Sequence, residues 1–194
     1  NAQTGILEIG YDTDHRGILK YISGYVSGKV KRWFAATTNS GSETGLFPMG
    51  QAIGGVWKKR FLSLEYTEAP TDGGSITVEF ISLSMLFGTT GTQSTIPDIN
   101  TGGAAFEVGK FSDDGYWKVD NKPGLLIDGE YTIKVTAEEF AALAGLIEKL
   151  TLVKRVNGGD WFCPGTHLPP TGDLTTTTLG RSGVSGFSNY GFAG

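Results

Sequence analysis

The feature that most constrains this chain is a strict alternation of apolar and polar residues over short segments. Residues 62–66 (LSLEY) and 76–80 (ITVEF) both alternate in this way. Successive side chains of a β-strand point to opposite faces, so each segment presents one face to a core and one to water. The turn residues at 70–74 (PTDGG) stand between them, and we predict that the two strands form an antiparallel hairpin.

Composition extends this prediction to the whole chain. The 194 residues include 30 glycines and 7 prolines, which is typical of many short strands joined by turns, and 39% are hydrophobic, which suffices for a packed core. We predict an all-β fold with two antiparallel sheets in a sandwich of Greek-key or jelly-roll type. Residues 1–194 are expected to form a single β-sandwich domain.

Several segments carry more local predictions. Residues 5–10 and the long β-rich stretch 18–35 are predicted as strands, and 105–119 as a hairpin around 112–115. The Thr- and Gly-rich stretch 88–103 is predicted as a long surface loop with a role in variation or function.

One segment departs from the strand pattern. Thr136 stands three residues before Glu139, the spacing of a helix capping box. Apolar residues then follow at helical intervals: Phe140, Leu143, Ile147 and Leu150. These residues predict one short helix near 137–149.

Charge and hydropathy exclude some partners. The net charge of −4 at neutral pH provides no basic surface for nucleic acid or an anionic membrane. No apolar run approaches the ~18 residues of a membrane-spanning helix, so we expect no membrane insertion. The only cysteine is Cys163, which excludes an intrachain disulfide.

Motifs for catalysis are weak, and we expect no enzymatic activity. The chain has two histidines, His15 and His167, and neither stands in a motif for nucleophilic catalysis. The GVSG at 183–186 lacks the spacing of a nucleophile elbow, and GYVSGKV at 24–30 lacks the spacing of a phosphate loop. The pair Cys163 and His167 has too few companion ligands for a structural zinc site.

Two acidic turns are candidate metal sites. Asp12 and Asp14 stand beside His15, and Asp113 and Asp114 form the second turn. Carboxylate oxygens are the ligands that calcium prefers, although acidic turns also occur without a metal. Calcium is therefore the one cofactor considered, and no other is expected.

Aromatic residues are the better candidates for a binding site. Tyr21 and Tyr25 share a polar-patterned face, and Tyr116 with Trp117 follows a turn. Exposed rings stack on sugar faces, so these four residues are candidate glycan-binding positions. In the alternative interpretation, the tryptophans mainly pack the core and the sheets; they are Trp33, Trp57, Trp117 and Trp161.

Five segments resemble one known family. They are GYVSGKVKRWF (24–34), LFPMG (46–50), LEYTEAPTDGGSITVEF (64–80), LVKRVNGGDW (152–161) and SGVSGFSNYGFAG (182–194). Together they resemble a β-sandwich domain that is common in large surface proteins of the Bacteroidetes, many of them exported by the type IX secretion system. The resemblance implies a secreted or cell-surface module, often a spacer or adhesive repeat, with no catalytic residues.

These observations lead to one expected function and one alternative. We expect a non-catalytic structural or adhesive module, either a repeat of a surface adhesin or a subunit of an extracellular filament. Its partners would be other copies or neighbouring domains, joined by adding segment 5–10 or 187–192 to an exposed sheet edge. The alternative is a carbohydrate-binding module whose exposed rings stack on a polysaccharide.

Overall fold

The computed structural model describes residues 5–41, 45–83, 96–98, 106–121, 128–140, 147–156 and 158–194. Within these ranges the chain forms fifteen β-strands and one turn of 3-10 helix, Ile147–Lys149. The strands are β1 (Ile6–Ile9), β2 (Lys29–Phe34), β3 (Leu46–Phe47), β4 (Gly50–Ile53), β5 (Val56–Tyr66), β6 (Gly74–Ile81), β7 (Ile96–Asp98), β8 (Phe106–Val108), β9 (Tyr116–Asn121), β10 (Tyr131–Glu138), β11 (Thr151–Arg155), β12 (Trp161–Phe162), β13 (Thr166–Gly172), β14 (Thr176–Val184) and β15 (Asn189–Ala193).

Two sheets contain most of these strands. The first sheet has seven strands in the order β1-β2-β6-β9-β15-β11-β12. The second has the order β13-β14-β10-β5-β3, with β4 also paired to β5, while β7 and β8 pair with each other. The strand pairs are antiparallel except β1 with β2. The predicted all-β, two-sheet antiparallel sandwich is therefore confirmed.

The inner faces of the two sheets form a common core. On β5, Leu62 and Leu64 are buried whereas Ser63 and Glu65, which alternate with them, are half-buried. One hydrophobic cluster combines side chains from both sheets, including Val30, Ile76, Val78, Trp117, Tyr190 and Phe192 from the first and Leu62, Leu64, Ile133, Val135 and Leu179 from the second. Each fully buried aliphatic side chain contributes about 1.5–3 kcal/mol relative to an exposed one.

The predicted hairpin between the alternating segments is wrong. β5 pairs with β3, β4 and β10 in the second sheet, whereas β6 pairs with β2 and β9 in the first. The connection 67–73 packs against the segment before β10, because the amides of Thr67 and Glu68 both donate to the Glu130 carbonyl. A connection of this length crosses the ~10 Å between packed sheets. The apolar faces of β5 and β6 therefore cover the core from opposite sides.

The predicted hairpin at 105–119 is also wrong. β8 pairs with β7, and the segment after it pairs with the C-terminus instead of with β9. The amide of Ser112 donates to the Phe192 carbonyl, and Phe111 forms a bridge with Ala193. Part of the predicted loop 88–103 is strand, since 96–98 form β7; its remaining residues lie outside the described ranges.

The start of the predicted helix is corrected as well. Ala137 and Glu138 continue β10: Ala137 pairs with β5 on one side and β14 on the other, and Glu138 pairs with β14. The Thr136 hydroxyl, predicted to cap a helix, lies 2.8 Å from the Thr178 hydroxyl across the sheet. Pairing on both edges thus outweighs the local capping signal. Residues 141–146 of the predicted helix lie outside the described ranges. Among the described residues, no helix is long and apolar enough to cross a membrane.

The segment 18–28 was predicted as strand, but the strand begins only at Lys29. Val26 forms a single bridge with Met49, its amide donating to the Pro48 carbonyl at 2.8 Å. Ile22, in the middle of this segment, is 90% exposed. This segment connects β1 to β2 and carries the two tyrosines considered below.

Candidate functional site

The first candidate surface is the edge of the first sheet. β1 is the outermost strand and pairs with β2 alone, in parallel, with Ile6 opposite Lys29 and Ile9 opposite Arg32. Ile6 and Leu7 are exposed. The strand is therefore held by one backbone ladder and by few side-chain contacts.

Glu8 supplies the polar side-chain attachment of β1, while Ile9 on the same strand packs against the main hydrophobic cluster. Its Oε1 accepts hydrogen bonds from Trp33 Nε1 at 2.9 Å and from Lys31 Nζ at 2.8 Å. The Lys31 ammonium also lies 4.8 Å from the centre of the Trp33 ring. The side-chain hydrogen bonds from Lys31 and then Trp33 lower the pKa of Glu8. These contacts are exposed to solvent, so salt and acid both reach them.

The acidic turn after β1 uses its carboxylate internally. Asp12 Oδ1 accepts the backbone amides of Asp14 at 2.9 Å and His15 at 2.6 Å, and the His15 ring lies within 2.9 Å of the same oxygen. Tyr11 stacks on His15 at 4.6 Å. This is an Asx-type turn that stabilises its own backbone.

The second acidic turn precedes β9. The amide of Asp114 donates to Ser112 Oγ at 3.1 Å, and Asp113 is exposed. Within the described residues, no group of three or more His, Cys, Asp or Glu side chains could hold a metal ion. Calcium binding at either turn therefore stays a prediction from the sequence.

The two terminal segments predicted to add to a neighbour's sheet differ sharply. Segment 5–10 contains β1 at the sheet edge, whereas segment 187–192 leads into β15, which lies between β9 and β11. Tyr190 and Phe192 are fully buried in the core. Removing β15 would split the first sheet, so the structure counts against the C-terminal segment as a donor.

The second candidate surface is a group of four rings on the outer face of the second sheet, which we call the aromatic surface: Tyr21, Tyr25, Trp57 and Phe61. Tyr25 stacks on Trp57 with ring centres 6.3 Å apart and lies edge-on to Phe61 at 6.0 Å. Tyr21 meets Phe61 edge-on at 5.0 Å. Trp57 is 45% exposed.

Strand parity and one glycine place these rings together. Trp57 and Phe61 alternate with the buried Arg60 and Leu62 along β5, so they point away from the core. A side chain at Gly50 would overlap Cβ of Tyr25 and lie 3.3 Å from the Trp57 ring. Sequence reasoning found the tyrosines but assigned Trp57 to packing; the parity of β5 was the signal that could have placed it outside.

The second predicted aromatic pair is divided between two environments. Trp117 is fully buried, and its Nε1 donates to the Arg60 carbonyl at 2.8 Å, so its prediction as a glycan-stacking residue is wrong. Tyr116, its neighbour on the opposite face of β9, is half-buried against Trp161 and Arg155. Adjacent residues of one strand face opposite sides and could not form one binding surface.

The two histidines and the cysteine make contacts that stabilise the fold or a turn. His167 is buried with its Nδ1 3.2 Å from Thr151 Oγ1, and Arg181 donates to the same hydroxyl. Cys163 packs against a small hydrophobic cluster that includes Trp161, in agreement with its interpretation as a small apolar residue. His15 belongs to the exposed turn of Asp12.

A buried polar cluster lies where β10, β11 and β15 approach the turn 185–187. Lys154 Nζ donates to the carbonyls of Ser185 at 2.6 Å and Gly186 at 2.8 Å. The hydroxyls of Tyr131 and Tyr190 lie 2.5 Å apart, and that of Tyr131 also donates to Gly186. Burial lowers the pKa of Lys154 to about 8 and raises the pKa of both tyrosines.

The structure defines the chain as an all-β sandwich with two candidate binding surfaces, the β1 edge and the aromatic surface. The chain matches no known family model, and no curated protein and no solved structure matches it.

Proposed function

We propose that this chain is a non-catalytic structural module of a secreted or cell-surface protein, and that it joins other copies or neighbouring domains by exchanging β1. The observation that carries the proposal is the position of β1: a single, mostly exposed strand in parallel pairing at the edge of an otherwise antiparallel sheet. Its extracellular location is supported by the resemblance of five sequence segments to surface proteins.

The exchange needs no new contacts. When β1 leaves, β2 exposes the backbone groups that it had paired, and the β1 of a second copy restores the same ladder and the same Glu8 contacts. An unpaired strand edge is an open template for another chain, which makes the β2 edge competent to accept it.

The connection between β1 and the aromatic surface gives the donor strand its reach. Tyr21 packs on Phe61 and Tyr25 on Trp57, so the chain is tied to its own second sheet from Tyr21 onward. Residues 10–20 lack strand structure and can extend to span about 35 Å at ~3.3 Å per residue. This length allows β1 to cross to a neighbour while the rest of the fold stays intact.

Closure decides the product of exchange. Two copies that trade β1 reciprocally form a closed dimer, whereas copies that each pass β1 to the next form an open chain. Both products use the same pairing of β1 with β2, so one crosslink detects either.

The test is a cysteine pair across the pairing. Ile6→Cys and Lys29→Cys, opposite each other in the register, are placed in a Cys163→Ser background. Partner residues on paired strands lie within disulfide reach. After incubation at high concentration and oxidation, non-reducing electrophoresis distinguishes a dimer or ladder from a monomer closed on itself.

The control pair is Lys29→Cys with Glu79→Cys, which join β2 to its other neighbour, β6. Because β6 lies inside the first sheet, this pair should crosslink only within one chain. A dimer or ladder from the first pair and a monomer from the control supports exchange. Monomer alone from both pairs at every concentration contradicts it, as would assembly that is unchanged after deletion of residues 1–17.

A further inference from the structure

We propose that the aromatic surface is a carbohydrate-binding site that takes the flat faces of pyranose rings in a neutral, ribbon-shaped polysaccharide. The site is separate from the β1 edge and does not depend on strand exchange. Its basis is four neighbouring rings on the outer face of the second sheet, of which Trp57 is 45% exposed.

The shape of the surface favours a polymer over a small ligand. The rings follow one another as Tyr21, Phe61, Tyr25 and Trp57, with adjacent centres 5.0, 6.0 and 6.3 Å apart. They lie on a sheet face and on the segment 18–28 that packs against it; Tyr21 and Tyr25 meet Phe61 edge-on, at 87° and 62°, and the planes of Tyr25 and Trp57 are 24° apart. A continuous surface of neighbouring rings suits several consecutive sugars of an extended chain, and aromatic side chains contribute large contact area with few rotatable bonds.

The charged residues beside the aromatic surface favour a neutral sugar. Lys58 Nζ lies 2.6 Å from Glu139 Oε1, and Lys59 Nζ lies 4.0 Å from Glu138 Oε1. Each cation thus has an anion beside it, and the edge of the surface carries no excess of either sign. Carboxylates and ammonium groups at such an edge accept from and donate to sugar hydroxyls.

The rings also have a packing role, but packing does not explain why Trp57 is so exposed. Tyr21 and Tyr25 hold the segment 18–28 against β5, and both are half-buried. Trp57 contacts Tyr25 yet remains 45% exposed, and Ile22, which follows Tyr21 in the chain, is 90% exposed. Holding a segment in place requires buried contacts, whereas exposed rings beside them provide a surface for a ligand.

The experiment is affinity electrophoresis of the full chain in native gels. The gels contain hydroxyethyl cellulose, soluble xylan or polygalacturonate, and migration is compared with a gel that has no polysaccharide. We expect hydroxyethyl cellulose, xylan or both to retard the protein, and polygalacturonate to have no effect at equal concentration. Retardation by polygalacturonate alone, or no retardation by the neutral polymers, would overturn the proposal.

Matched variants locate the binding site. Trp57→Ala should raise the apparent dissociation constant for the polysaccharide at least tenfold. Trp57→Phe should keep part of the binding. Phe162→Ala removes a ring of similar exposure, 43%, from β12 in the first sheet and should bind like the parent chain. Thermal unfolding of each variant confirms that the fold is retained.

The outcomes are independent of strand exchange. Loss of retardation in Phe162→Ala but not in Trp57→Ala would place binding elsewhere and contradict the assignment. Loss of self-association in Trp57→Ala, without binding of neutral polymers by the parent chain, would mark the aromatic surface as a contact between copies instead. The crosslink between β1 and β2 reports only on exchange, so either proposal can fail while the other stands.

Discussion

Trp33 Nε1 donates a hydrogen bond of 2.9 Å to Glu8 Oε1, and this bond links the outermost strand of the first sheet to the strand beside it. The rest of the sheet is held by antiparallel ladders whose inner faces are buried in the core, whereas three of the four β1 side chains are exposed and only Ile9 packs against the core. The strength with which β1 is held therefore depends in part on a solvent-exposed carboxylate, and this part can be changed without altering the core.

We predict that Glu8→Gln loosens β1 selectively. The substitution removes the charge that pairs with Lys31 and weakens the acceptor for Trp33. Hydrogen exchange at the amides of 6–9 should become faster, while that of β6 stays unchanged. Glu79→Gln, which removes a longer and weaker pair with Lys29 at 3.9 Å, is the control and should leave β1 as it is.

Acid should have the same effect as this substitution. The pKa of Glu8 is lowered in the folded state, so its contribution is complete above its ordinary value of 4.5 and is lost as the pH falls through the lower, folded-state pKa. In the crosslinking experiment, preincubation at a pH below the folded-state pKa of Glu8, followed by oxidation at neutral pH, should increase the yield of interchain disulfide. Equal yields after neutral and acidic preincubation would contradict a role for Glu8.

The four tryptophans illustrate what the sequence could predict. Alternation predicted the strands and the two-sheet sandwich, because apolar residues at every second position require a buried face. The alternative interpretation of the tryptophans as packing residues was correct for Trp117 and Trp161, which are both buried, whereas the prediction of Trp117 as a glycan-binding residue was wrong. Alternation did not place Trp57 outside, because a tryptophan is counted as apolar on whichever face of the strand it lies.

Pairing partners were harder to predict than strands. β5 and β6 are consecutive and both amphipathic, yet they lie in opposite sheets, because the connection 67–73 is long enough to cross the core. Likewise, the capping spacing of Thr136 and Glu139 is local, whereas the two ladders that keep β10 extended come from β5 and β14. Such long-range contacts leave no signal in a short window of sequence.

The two aromatic environments give a prediction about stability. Trp117→Ala removes a fully buried ring and its hydrogen bond to Arg60, and should lower the free energy of unfolding by about 3–5 kcal/mol. Trp57→Ala removes a partly exposed ring and should cost about 1 kcal/mol or less. Urea denaturation followed by circular dichroism measures both. Equal losses would contradict the assignment of Trp57 to the surface.

A close backbone approach gives the next prediction. Gly45 precedes β3, and a Cβ at this position would overlap the carbonyl oxygen of Leu64. The backbone amide of Leu64 in turn donates a hydrogen bond to the Gly45 carbonyl. Because both groups are backbone, neither can move without disturbing β5. Gly45→Ala should therefore lower the free energy of unfolding by about 2–3 kcal/mol. Gly5→Ala, with open space around its Cβ, should change it by less than ~0.5 kcal/mol.

The buried cluster around Lys154 predicts how stability depends on alkaline pH. The pKa of Lys154 is about 8 when folded and ordinarily 10.5, so between these values the unfolded chain binds more protons and the free energy of unfolding rises with pH. Above pH 10 the buried Tyr66, Tyr131 and Tyr190 keep their protons while unfolded tyrosines lose theirs, so stability falls. Urea midpoints from pH 7 to 11 should therefore pass through a maximum near pH 10. In Lys154→Met the rise between pH 8 and 10 should disappear, while the fall above pH 10 persists; a rise that survives in this variant would show that another group causes it.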